Sequence, residues 1–284
     1  MNPDVFSPVP IPEGLRRFFR RAMAAYCDEP VDMPAQVRGT GYCYLGWTPS
    51  GRWQGIVNSD EHSFDTNEDG RVHLSGQVFD GAVNVRFSGV LRQIFLEFTA
   101  LGQYEFLGLA GRETYERAVA PGPLLPAAFN EHLNAAEFSD AETMANALFS
   151  AAANVTPAKT APDYLHDIVN KIEAAHGDVR FSSLIATVGV SERKARDDFS
   201  RIVGLAPKQF AKILQVNHAF EALISLGEKR LAELALECGF SDQAHMTRTF
   251  GEFLGSSPVR FAEDIEPTLK QFVGYSRQLN RDAS

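Results

Sequence analysis

Hydrophobic positions follow two regimes along the chain. Between residues 41 and 98, apolar and β-branched residues come in short runs broken by Gly, Asn, Asp and Ser, the pattern of half-buried strands. Those runs predict strands over 41–47, 53–57, 72–78, 82–87 and 91–98. Ahead of them, Leu15, Phe18, Phe19, Ala22 and Tyr26 recur at helical spacing, with Arg16, Arg17, Arg20 and Arg21 mostly on the other side. This spacing predicts a helix packed on the sheet with its arginines in solvent. From about Ala127 the period is helical, and the Ala-rich run 141–153 predicts a helix closing the first unit.

A boundary follows. Residues 155–162 hold Pro157 and Pro162 among small residues with no apolar period, which suits a linker. Beyond it everything reads as helix, beginning with the stripe Leu165, Ile168, Val169 and Ile172 and a stop at Gly177. The expected class is α+β: a β-rich unit over 1–154, a linker over 155–162, an all-α unit over 163–265 and a tail over 266–284.

Composition narrows the function. With 284 residues, 44% hydrophobic and 22% charged, the chain suits about two globular domains. The net charge of −9 argues against a surface coated for polyanions, but residues 180–212 are locally basic. There Arg180, Arg193, Lys194, Arg196, Arg201, Lys208 and Lys212 face only Glu192, Asp197 and Asp198. Cys27, Cys43 and Cys238 lack CxxC spacing, which fits buried thiols in a reducing compartment. The amino terminus has no basic start followed by an apolar run, and no stretch reaches the roughly 18 apolar residues of a membrane span. A cytoplasmic location without a membrane partner is the expectation.

Two segments about fifty residues apart share one plan of short helix, glycine turn and second helix. One runs from Leu184 through Gly189 and Ser191 to Phe199; the other runs from Leu234 through Gly239 and Ser241 to Phe250. In each, Gly permits the turn and Ser191 or Ser241 can cap the next helix. Between them, 207–225 reads as a helix of roughly 28 Å at about 1.5 Å per residue. That is near the ~34 Å between successive major grooves on one face of a duplex.

The run Gly239-Phe-Ser-Asp-Gln-Ala-His-Met-Thr-Arg-Thr-Phe250, with Leu254-Gly-Ser-Ser-Pro258-Val-Arg-Phe261, closely resembles the signature of the AraC/XylS family of bacterial transcriptional regulators. The likeness extends back through Val203-Gly-Leu-Ala-Pro207-Lys-Gln-Phe210 to about Asp163. It implies a bipartite DNA-binding domain whose two recognition helices enter adjacent major grooves of double-stranded DNA. Met246, Phe250 and Phe253 then pack inward, leaving Gln243, Ala244, Thr247 and Arg248 to meet base edges, where Gln suits adenine and Arg suits guanine. In the first unit Arg193, Lys194 and Arg196 are the base-readout candidates. Ser191, Lys208, Ser241, His245 and Arg260 are candidates for phosphate contact or positioning. The first unit departs from the family pattern in two ways. Ile185 and Ala195 exchange a small and a large residue, a swap that conserves volume if the two touch. Asp197 and Asp198 stand where relatives often carry a base, which weakens reading by that helix.

For the amino-terminal unit the resemblance implies sensing of a small molecule or dimerisation, with a homodimer and RNA polymerase as further partners. His73-Leu-Ser-Gly-Gln77, 89–98, Gly102 and Leu107-Gly108 resemble the sensor domain of one subgroup, although Thr99-Ala100 replace a proline common there. Tyr42, Tyr44, Trp47 and Trp53 are candidates to line an apolar effector pocket, against the plainer reading that they are core. His62 and His73 lack the H-x-H step of a metal oxygenase, and no nucleophile or nucleotide motif occurs. Asp65-Thr-Asn-Glu-Asp69-Gly70 begins like a calcium loop, but its twelfth position is Gly76, so a hairpin turn on Asp69-Gly70 is the better reading. No catalytic residue, metal or cofactor is expected. A second functional reading makes the first unit a metabolite-binding or catalytic domain and the helical unit a protein-docking module.

Overall fold

Two long antiparallel strands organise the amino-terminal half of the computed structural model, which describes residues 6–37, 39–57, 63–79, 83–226, 231–254 and 257–260. They are β4 (Tyr44–Val57) and β7 (Val83–Phe98), paired from Tyr44 with Glu97 to Val57 with Val83 and interrupted by a bulge around Ser50. Each joins two of the strands expected from the sequence into one; Ala82 lies outside the described residues. Around this pair stand β1 (Phe6–Pro8), β2 (Phe19–Tyr26), β3 (Val31–Val37), β5 (Ser63–Asp65), β6 (Val72–Ser75) and β8 (Ala118–Val119). Strands β2 and β3 pair with successive halves of β7, and β6 and β5 pair with successive halves of β4.

The helix expected over residues 15–26 is not formed. A 3-10 turn at Glu13–Leu15 leads into strand β2, which lies between β1 and β7. Phe19, Ala22 and Ala24 pack on one face of the sheet and Met23 and Ala25 on the other. A strand buried on both faces loses its alternation, and its apolar positions then imitate a helical period. The arginines are not all solvated either: Arg20 and Arg21 both reach the buried carboxylate of Glu97.

The two faces of the sheet carry separate cores. On one, Leu45, Trp47, Leu74, Ile94, Leu96 and Phe98 meet Phe129 and Leu133 of α3 (Ala127–Ala135) and Met144, Ala145 and Leu148 of α4 (Ala141–Ala153). Each such side chain contributes roughly 1.5–3 kcal/mol by burial. The opposite face holds Met23, Met33, Trp53, Phe64, Val85, Phe87 and Leu91. Two short helices, α1 (Gly102–Leu107) and α2 (Gly111–Thr114), follow β7. The proline-bearing segment 155–162 is strapped along α1: Ala158 and Lys159 donate to the Glu105 carbonyl, and the Ala161 N–H to its carboxylate.

The remaining helices are α5 (Asp163–Ala174), α6 (Phe181–Ile185), α7 (Glu192–Val203), α8 (Pro207–Leu226), α9 (Leu231–Glu237) and α10 (Gln243–Leu254). Helices α5 to α7 share a core with the first half of α8, and α9 and α10 share another with its second half. Ile185 and Ala195 are both buried in the first of these cores. That core also takes in Tyr42, Ala100 and Leu101 from the sheet half, so the two halves are packed together. The tail 266–284 and Phe261 lie outside the described residues.

Candidate nucleic-acid interface and effector site

Each helix-turn-helix expected from the sequence is present, as α6 with α7 and as α9 with α10. Gly189 and Gly239 in the turns have φ of +68° and +75°, a region that only glycine enters without strain. Helix α8, with 20 residues, spans roughly 30 Å and carries one unit on each half.

Capping differs between the two reading helices. Ser191 caps α7, accepting the Lys194 N–H. At α10 the cap is Asp242, not Ser241: its carboxylate accepts the His245 N–H at 2.6 Å, while its carbonyl accepts from Met246. His245 reaches back, its Nδ1 accepting the Ser241 N–H at 3.3 Å and its ring standing edge-on to Phe240. Ser241 and His245 therefore build the turn, with only Nε2 of the imidazole left for an outside group.

Helix α10 buries Met246 and Phe250 and packs Phe253 partly against both helical cores. Gln243, Ala244 and Arg248 are exposed and Thr247 is half-buried. Arg248 makes no ion pair among the described residues, and nor do the exposed Lys208 and Arg260. Helix α7 is different. Arg196 pairs with Glu192 at 2.6 Å, Lys194 with Asp198 at 2.7 Å and Arg193 with Asp197 at 3.8 Å, each four residues apart. Arg201 adds a second cation to Asp198, and Tyr164 of α5 donates its hydroxyl to the same carboxylate. Hydrogen bonds from Lys194 and Tyr164 lower the Asp198 pKa to about 2. All three base-readout candidates on α7 are thus engaged by their own helix. The four-residue spacing of opposite charges along α7 is the sequence signal for this pairing.

The four aromatic candidates for an effector pocket are dispersed. Trp47 packs edge-on to Phe138 on the helix-covered face, Trp53 lies in the opposite core, and Tyr42 sits in the core shared with α5 and α8. Tyr44 donates to Glu97 at 2.6 Å. Tyr42 and Tyr44 belong to a buried polar network: Arg20 lies over the Tyr42 ring and pairs with Glu97, and the Tyr42 hydroxyl donates to Glu173 of α5 at 2.8 Å. Burial raises the Glu173 pKa against the opposing pull of Tyr42 and Arg20. For Glu97 burial acts upward too, but Arg20 and Arg21 outweigh it and the pKa is lowered. Gln77, in the loop after β6, donates to the Val203 carbonyl at the end of α7.

Three fully buried polar side chains in the sheet have no hydrogen-bond partner among the described residues: the Thr48 hydroxyl, both nitrogens of His73 and both amide atoms of Gln93. Each unsatisfied group costs about 1–3 kcal/mol. Burial lowers the His73 pKa to about 3, so the ring is neutral. His62 lies outside the described residues. Among those described, no group of three or more His, Cys, Asp and Glu is placed to hold a metal. Asp65 of the calcium-like run is taken by Arg52, Gln54 and the Asn67 N–H. The turn after it joins β5 to β6, which pair with β4 and not with each other, so it is not the hairpin expected. No described helix is long and apolar enough to cross a membrane.

A family model described as a helix-turn-helix domain matches residues 184–264. The melibiose operon regulatory protein of Escherichia coli is 30% identical over 76 residues, 27% of this chain and 25% of its own length. The transcriptional activator RhaR of Klebsiella pneumoniae is 28% identical over 75 residues, 26% of each chain. The chain thus matches about a quarter of the length of these relatives. Among solved structures, ToxT from Vibrio cholerae aligns over 83% of this chain and 99% of its own at 10% identity, with a TM-score of 0.45. Residues 184–264 of this chain thus form a domain of the helix-turn-helix family.

Proposed function

We propose that the chain is a sequence-specific regulator of transcription, with residues 163–265 binding double-stranded DNA and residues 1–154 receiving a small molecule or partner. The observation that carries this reading is the mounting of two helix-turn-helix units on one rigid helix, α8, with the exposed face of each reading helix clear of the sheet domain. The named relatives are an operon regulator and a transcriptional activator, which agrees. On this reading α10 supplies most of the sequence discrimination through Gln243 and Arg248, because Arg248 makes no ion pair among the described residues whereas the cations of α7 are paired within their helix.

The sheet domain touches the carboxy end of α7 through Gln77, α5 through Tyr42 and α8 through Thr40, whose carbonyl accepts from Asn217. An occupant of the sheet domain would therefore act on the relative setting of the two reading helices and not by covering them. Self-association and contact with RNA polymerase belong to the same proposal. Selection from a randomised duplex pool by the full chain tests it: a single enriched motif supports the reading, and no enrichment with or without candidate effectors removes it.

A further inference from the structure

One irregular segment of the sheet half reaches both reading helices. Strand β6 ends at Ser75, and residues 76–79 follow it without regular structure. The segment is pinned to its own half: the Gly76 N–H donates to the Arg117 carbonyl at 2.9 Å, and the Gln77 carbonyl accepts the Glu116 N–H at 2.9 Å. From there the buried Gln77 side chain donates to the carbonyl of Val203, the last residue of α7. Two positions on, the Phe79 ring stands edge-on to Phe253, the next-to-last residue of α10, with centroids 4.8 Å apart and planes at 87°. The same end of α7 abuts the amino end of α2, where a Cβ at Gly111 would overlap the Val203 carbonyl.

Both contacts are made at the rear of the reading helices. Arg193, Lys194 and Arg196 lie in the first half of α7, and Gln243, Ala244, Thr247 and Arg248 in the first half of α10, so the segment grips each helix without covering the residues that would meet DNA. The buried amide oxygen of Gln77 has no partner among the described residues, so its bond to α7 is made at a desolvation cost that a leucine would not incur. We propose that Gln77 and Phe79 are positioning residues for DNA reading: one short segment of the sheet half ties the carboxy ends of α7 and α10 and fixes their relative setting. Helix α8 already spaces the two units by roughly 30 Å, near the ~34 Å between successive major grooves. The tie removes the twisting freedom that a single connecting helix leaves, and a pair set before binding loses less freedom on the duplex. This assignment rests on the regulator reading and names the residues through which the sheet half would act on both reading helices.

Hydrogen exchange and DNA affinity of the full chain test it, using Phe79→Ala and the conservative Phe79→Leu. Phe79 belongs to neither core of the sheet, so both variants should fold with exchange in β4 and β7 as in the wild type. Without DNA, Phe79→Ala should speed exchange in α10 about 3–10-fold, and Phe79→Leu should restore most of the protection. Gln77→Leu should do the same at the carboxy end of α7. On a duplex selected by the wild type, Phe79→Ala should bind about 3–10-fold more weakly with the same preferred bases, and Phe79→Leu nearly as well as the wild type. Unchanged exchange in α10, quicker exchange in β4 and β7, or an affinity of Phe79→Ala equal to or above that of the wild type overturns the assignment; the last of these would mean that the contact holds the helices away from DNA. Selection by the wild-type chain is scored separately. A selected duplex that Phe79→Ala binds as tightly removes only the tie, whereas failed selection removes the regulator reading and the positioning role with it.

Discussion

The His73 imidazole lies parallel to the Trp53 indole, 4.2 Å between centroids and 9° between planes, in the core of the curled sheet. Burial holds its pKa near 3 against 6.5 for a free histidine. The unfolded chain therefore takes up a proton that the folded chain refuses. The associated stability is complete above pH 6.5 and is lost as pH falls toward 3, at about 1.4 kcal/mol per pH unit. Replacing His73 with Phe should flatten the pH dependence of chemical denaturation between pH 6.5 and 4. An unchanged slope would show that the ring is not buried as described.

On α7 the pairing of Lys194 with Asp198 and Arg193 with Asp197 predicts weak phosphate contact by that helix. The double variant Asp197→Asn, Asp198→Asn releases cations to DNA. Its affinity for a selected duplex should rise, and the slope of log affinity against log salt should steepen by about 1 for each cation that reaches phosphate. Fluorescence anisotropy across a salt series reads this, and an unchanged slope would place α7 away from the backbone.

Asp198 also sets an acid limit. Its pKa is lowered to about 2 from 3.8, so its contribution is present above pH 3.8 and is lost as pH falls to about 2. The stability deficit of Asp198→Asn at pH 7 should therefore shrink across that window. A deficit independent of pH would mean that the side chain acts through its shape alone.

Tyr42→Phe removes the donor to Glu173 and leaves a half-buried carboxylate short of a partner. The expected cost is about 1–3 kcal/mol at neutral pH. It should diminish as pH falls, because a protonated Glu173 no longer needs the donor. Hydrogen exchange should quicken in α5 and the first half of α8 if this contact joins the two halves; protection unchanged there would locate the joint elsewhere.

The carboxy-terminal architecture was legible because its signals are local. Gly189 and Gly239 mark turns, Ser191 marks a cap, and Met246 and Phe250 recur at helical spacing. Asp242 displaced Ser241 as the cap of α10, a shift of one residue that composition cannot resolve, since both side chains accept hydrogen bonds. In the sheet half the strands expected around Tyr44 and Leu91 are present, but β2 carries a helical spacing of apolar residues because burial on both faces removes the period-two signature. The aromatic run from Tyr42 to Trp53 looked like one site and is divided among three surroundings, because alternation and the bulge at Ser50 send neighbours to different faces. What links the halves, as Tyr42 to Glu173 or Gln77 to Val203, joins residues more than a hundred positions apart and leaves no trace in spacing.

The central claim is that the exposed face of α10 reads DNA sequence. Selection of duplexes from a random pool at about 0.15 M salt, run in parallel with the full chain and with Arg248→Ala, tests it most directly. The account predicts one enriched motif for the wild type, with the variant losing about 1–3 kcal/mol of discrimination at one or two positions of that motif. An identical motif from both proteins, or none from either, would contradict it.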